Sequence, residues 1–140
     1  MDIANLRRGV VPGVMAGYLF LAYAGGGMQD MIGGMIDAND FVGFILHVVF
    51  SLIIGAIYTA FFVSVVKLGN PLVDIVVGGL IYGLIWWVIG ANLIMPLVAG
   101  NDVFQFNIGA SFYGHIIFGH ALAFLVVLRD MAFGQASGDN

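Results

Sequence analysis

The chain has 140 residues, of which 61% are hydrophobic and 9% charged, with a formal net charge of −4 and no cysteine. That apolar content is more than a soluble domain of this size can bury, so an ordinary water-soluble fold is excluded. The missing cysteines exclude disulfides, thiolate metal sites and iron–sulfur clusters for this chain, and its acidic balance disfavours nucleic acid as a partner.

Four apolar runs occupy about 9–28, 41–66, 72–98 and 108–128. Each reaches the roughly 20 residues that a helix rising 1.5 Å per residue needs to cross about 30 Å of hydrocarbon. None holds Lys, Arg or Glu, and the third holds a single acid, Asp74, near its start. The alternating polarity of a transmembrane barrel is absent. The expectation is an all-α protein, a four-transmembrane-helix bundle forming one domain over residues 1–140, with the lipid bilayer around it.

Arg7 and Arg8 precede the first run like the n-region of a signal peptide, but the apolar part is too long and lacks a small-x-small cleavage site, so it reads as a retained helix. Gly25-Gly26-Gly27 ends it. Met28–Met35 (MQDMIGGM) could attract a soft metal, but reads better as an amphipathic interfacial turn. Pro96 should kink or end the third run. Trp86 and Trp87 lie away from either interface and read as core packing ahead of a cofactor cavity. Asp74 suits a helix N-terminus, and the tail Phe133–Asn140 is polar and reads as frayed.

Arg7 and Arg8 precede span one, Lys67 follows span two and Arg129 follows span four. Four crossings put all of them on one side, which the positive-inside rule makes cytoplasmic. The prediction is a multi-pass protein of the cytoplasmic (inner) membrane with both termini inside. Its outer rim is acidic, with Asp30, Asp37 and Asp40 in one loop and Asp102 in the other.

The chain also reads as two tandem helical hairpins. His47-Val-Val-Phe50 in span two answers His115-Ile-Ile-Phe118 in span four, 68 positions later. Gly13-x-x-x-Gly17 answers Gly79-x-x-x-Gly83, 66 positions later. Paired spans of the same direction imply a pseudo-twofold axis along the membrane normal. The glycine pairs are candidate helix-packing seams, because small residues let backbones approach where lipid supplies no hydrophobic drive.

His47 and His115 lie six or seven residues inside the outer ends of their spans, roughly 9 Å deep, with Asn92 in the same layer. His47, Ser51, Gly55 and Tyr58 share one stripe of span two. Asn107, Ser111, His115 and Gly119 share one of span four, and such stripes should face the bundle interior. His120 points about 140° away from His115 and shares a face with Tyr113. Three readings stay open: an outer-facing proton-responsive pair, a metal or haem site ligated by His47 and His115, or two plain interhelical hydrogen bonds. No cofactor is the first expectation and haem b the second. No P-loop, HExxH, dinucleotide fingerprint or serine elbow is present, so the chain reads as non-enzymatic.

The residues His47-Val-Val-Phe50-Ser51, Tyr58, Gly83, Met95-Pro96-Leu97, Gly114-His115 and Arg129-Asp130 resemble the YagU-like family of small bacterial inner-membrane proteins, over about residues 44–131. A histidine that the family carries five residues before its span-three proline is Ala91 here, which sets aside a three-histidine site. The resemblance implies a multi-pass inner-membrane protein linked to acid resistance. The expected function is proton-responsive or cation-handling, and the alternative is an accessory, haem-binding subunit of a larger membrane redox complex. Small loops favour a homo-oligomer or a subunit of a larger assembly.

Overall fold

A computed structural model describes residues 3–66 and 68–134, and every regular element in them is a helix. Lys67 and residues 135–140, on which part of the orientation argument and most of the tail reading fall, lie outside the described residues. The helices are α1 (Ile3–Ala24), α2 (Gly27–Gly34), α3 (Asp40–Val65), α4 (Pro71–Val98) and α5 (Ala110–Gly134). α3, α4 and α5 are each long and apolar enough to cross a membrane. α1 passes the same test only together with α2, from which it is bent by 108°.

The helix limits follow local chemistry. α1 stops at Ala24, short of the expected position 28, because Gly25 takes φ +74° and turns the chain. The methionine-rich stretch that follows is a short helix, α2, which packs on α3 where Gly33 meets the backbone of Ala38 and Asn39 and Gly43 meets that of Gln29. α3 starts at an Asn39 cap, whose Oδ1 accepts from Val42 N at 3.1 Å, and α4 at an Asn70 cap with Pro71 at its first position. Pro96 neither breaks nor ends α4, which runs on to Val98. Ahead of it, Trp87–Ile94 is a π-helical stretch, as are Asp74–Gly78 and, in α3, Tyr58–Phe62. These wider turns rotate the faces of their helices in a way that periodicity cannot anticipate.

Packing runs in the order α3–α1–α5–α4. Two glycine seams hold the neighbours together. On α1, Gly13 lies against the Ser51 carbonyl and Gly55 of α3, and Gly17 against Ser51 and the His47 ring. On α4, Gly79 lies against Gly119 and His120 of α5, and Gly83 against the His115 carbonyl. Each is backbone-to-helix contact with no room for a Cβ, so dispersion contact is gained along whole turns. α3 and α4 meet near mid-length through Tyr82, whose hydroxyl donates to the Ile54 carbonyl at 2.6 Å and whose ring packs on Tyr58 and Phe62.

One end of the bundle carries the first turns of α1 and the last turns of α5. There Arg8 grips Asp130 with two hydrogen bonds, one from Nε to Oδ1 at 2.7 Å, and Arg129 stands 3.7 Å from the same carboxylate. This pair, 122 residues apart in sequence, ties both ends of the described chain to one end of the molecule. At the other end α2 lies across the bundle.

Candidate functional site

Between that transverse helix and the Tyr82 contact, α3 and α4 part and leave a cavity of about 460 Å³. α1 contributes Phe20 and Ala24, and α2 roofs the cavity with Met28, Met31 and Ile32. His47, Phe50, Ser51, Ile53 and Ile54 come from α3, and Trp86, Gly90, Ile94 and Met95 from α4. α5 adds Ser111, His115 and Phe118. The walls are aliphatic and aromatic, and the two histidines are the titratable groups that line it.

Both histidines are therefore at one cavity, but they do not touch ring to ring. Phe20 packs on both, its centroid 5.8 Å from the His47 ring and 4.9 Å from the His115 ring, edge-on to each. It fits there because Gly114 leaves a notch that a Cβ would fill with the Phe20 ring. A haem ligated by both imidazoles would have to share space with this phenylalanine, which packs on each ring. Among the described residues, no group of three or more His, Cys, Asp or Glu side chains could hold a metal.

The two rings are held differently. His47 is buried, and its Nε2–H donates across the seam to the Gly17 carbonyl at 2.9 Å, while Ser51 Oγ donates to the His47 carbonyl at 2.7 Å. His115 donates from Nδ1 to the Ser111 carbonyl, one turn back on its own helix, at 2.7 Å. Carbonyls accept only, so each bond fixes the tautomer of the neutral ring. His115 Nε2 is left as an acceptor; it has no hydrogen bond among the described residues and would lie 3.9 Å from a Cβ at Gly90. The Ser111 hydroxyl, on the same wall, also makes none.

The other candidates go elsewhere. Asn92 turns toward the α4–α5 loop: its Nδ2 donates to the Trp87 carbonyl at 2.8 Å, its Oδ1 accepts from Phe106 N at 3.0 Å, and its own carbonyl accepts from Phe104 N at 2.7 Å. Phe104 and Phe106 sit at φ +58° and +38°, strained values that this clamp sustains. Tyr58 is buried beside Phe62 and Tyr82, toward the Arg8–Asp130 end. His120 donates from Nδ1 to the Ile116 carbonyl at 2.8 Å, away from the cavity, and Tyr113 is exposed beside Phe112. Asp30, Asp37, Asp40 and Asp102 are exposed, and none bonds to a histidine. Gly13, Gly17, Gly79 and Gly83 lie in the two seams. Of the tryptophans, Trp86 lines the cavity and Trp87 packs on Phe106 and Phe112.

Sequence reasoning missed Phe20, Gly90 and the Arg8–Asp130 pair; it singled out Gly114 as a space-maker, and the ring that uses the space is Phe20. Phe20 was open to inference: it lies 66 positions before Trp86, the same offset that joins the glycine pairs. Comparison of the chain with family models, with curated proteins and with solved structures finds no match.

Proposed function

We propose that the chain is a non-enzymatic, multi-pass membrane protein whose cavity is proton-responsive, with His115 as the responsive group and His47 as its fixed counterpart. The observation that carries this reading is the free Nε2 of His115 in an apolar cavity. Protonation there would exchange an acceptor for a donor and bring a charge among hydrocarbon walls, with no carboxylate lining the cavity to balance it. What the cavity can hold would then change with pH. The resemblance to the YagU-like family and its link with acid resistance point the same way.

The membrane arrangement belongs to the same proposal. α1 with α2, then α3, α4 and α5, make four crossings in the cytoplasmic membrane, with the Arg8–Asp130 end cytoplasmic and α2 on the outer surface. The exposed apolar faces of α3, α4 and α5 meet lipid. The matched seams, Gly13 against α3 and Gly79 against α5, favour two hairpins related by a pseudo-twofold axis. Assembly with further copies, or with larger subunits, completes the reading.

The test is nitrogen NMR of the three histidine rings in lipid nanodiscs, acidified from about pH 8 to about pH 4. The expected result is a His115 transition accompanied by shifts at cavity residues, with the cavity shifts abolished in His115→Phe. Cavity shifts that persist in that variant would refute the assignment.

A further inference from the structure

We infer that the cavity is a binding site for a lipid-dissolved phenol-type molecule, one with a flat aromatic head bearing a hydroxyl, which enters from the bilayer between α3 and α4. The inference rests on the reading of His115 as the group that faces the cavity, and names the ligand class which that group would take. The cavity's 460 Å³ lies within the usual range for small-molecule sites, which are mostly apolar with a few fixed polar groups.

The polar groups select the ligand. A backbone carbonyl holds the Nδ1 proton of His115, so Nε2 offers a lone pair and seeks a donor. The neighbouring Ser111 hydroxyl can donate or accept. A hydroxyl satisfies both at once, giving its proton to Nε2 and receiving one from Ser111. A ketone or ether could accept from Ser111 or from the unpaired indole N–H of Trp86, but it has no proton to give and would leave Nε2 desolvated and unpaired, which is the costly outcome in an apolar site. The walls select the head. Phe20, Trp86 and Phe118 surround the site with ring faces and edges, which suit a planar aromatic body better than a branched aliphatic one.

The route follows from the rim. α2 closes the cavity at one end with Met28 and Ile32, both buried, and the Tyr82 contact closes it at the other. An open side lies between α3 and α4, where Phe50, Ile53 and Ile94 are exposed, with Met31 of α2 exposed beside them; all four are apolar. A solute arriving from water would cross a hydrocarbon rim, whereas one dissolved in the bilayer is already beside it.

The test uses the full chain in phosphatidylcholine nanodiscs at about pH 8, with the histidine rings labelled with nitrogen-15. The probes are 4-octylphenol and its methyl ether 4-octylanisole, with binding corrected for partition into empty nanodiscs. The phenol should move the His115 Nε2 resonance and leave His120 unmoved, and should bind about tenfold more tightly than the ether, the worth of one well-made hydrogen bond in a dry site. In His115→Phe that preference should fall to about one, and in Ser111→Ala it should shrink in part. The ratio is measured within each variant, so a general loss of stability does not mimic it. Equal binding of the two probes by the unsubstituted chain, or an unmoved Nε2 resonance, would overturn the inference. A phenol preference without any pH-dependent cavity change would refute the proton-responsive reading and leave this one standing; the converse would do the reverse.

Discussion

His47 and His115 open the same motif, line one cavity and pack on one phenylalanine, yet one ring is tied between helices and the other is tied only to its own. The difference lies in what each meets across its seam. At the α1–α3 seam, Gly17 lets α3 come close enough for the His47 side chain itself to reach the Gly17 carbonyl. At the α4–α5 seam, the backbone carbonyl of His115, rather than its ring, lies against Gly83, and the ring turns toward Gly90 and the cavity. Two near-identical sequences thus yield a structural bond in one place and an available lone pair in the other. A polar side chain that its own helix satisfies only in part keeps hydrogen-bonding capacity for something else.

The strongest way to break this contrast is to prise open the seams. Gly13→Val puts methyl groups into the Ser51 carbonyl and the Gly55 backbone, and Gly83→Val puts them into the His115 carbonyl. Backbone cannot yield as a flexible side chain can, so each variant should lose about 3 kcal/mol or more, read as a fall in the unfolding midpoint by circular dichroism in detergent. Gly90→Ala, whose new carbon would meet only Trp86 and His115 Nε2 at 3.9 Å, is the control and should melt close to the parent. Equal losses at Gly13 and Gly90 would mean that the seams are not close contacts.

A smaller effect separates the rings themselves. His47→Phe removes the bond to Gly17 from a buried site and should cost about 2 kcal/mol. His115→Phe gives up a bond within its own turn and places an apolar ring against an apolar cavity, so it should cost less than about 1 kcal/mol. Thermal unfolding of the two variants side by side checks the order. A His115 variant that unfolds as readily as the His47 variant would make both histidines structural and remove the basis of the proposed function.

Much of this was legible in the sequence, at the level where hydropathy and spacing speak. Long apolar runs can only be helices of membrane length, and four-residue glycine spacing places small residues on one face, so the helices and the glycine seams follow from residue type alone. The same spacing brings His47 and Ser51 to a buried stripe. What could not be read is what depends on the third dimension. The π-helical stretch Trp87–Ile94 resets the face of α4 between two adjacent tryptophans. Asn92 lies at the expected level yet turns to a loop, because two backbone N–H groups in left-handed segments need its oxygens. Phe20 enters the histidine layer only because Gly114, far along the chain, leaves it space. Arg8 and Asp130 look like two terminal charges until folding brings them together.

The smallest expected effect concerns the tryptophans, which repeat the contrast of tied and open groups on α4. Trp87 is 9% exposed and packs edge-on to Phe112 and against Phe106, so Trp87→Phe leaves a gap among rings and should cost about 1–2 kcal/mol. Trp86 borders the cavity, and its indole Nε1 is the one buried side-chain polar atom among the described residues with no hydrogen bond. An unpaired buried N–H already carries its desolvation cost. Trp86→Phe removes that cost together with some ring contact, and the two changes oppose each other. The net change should stay within about 0.5 kcal/mol, below that of Trp87→Phe, and thermal unfolding in the same detergent resolves the pair. A Trp86→Phe loss as large as that at Trp87 would mean that the indole N–H is paired after all, and that this wall of the cavity is as firmly held as the loop beyond it.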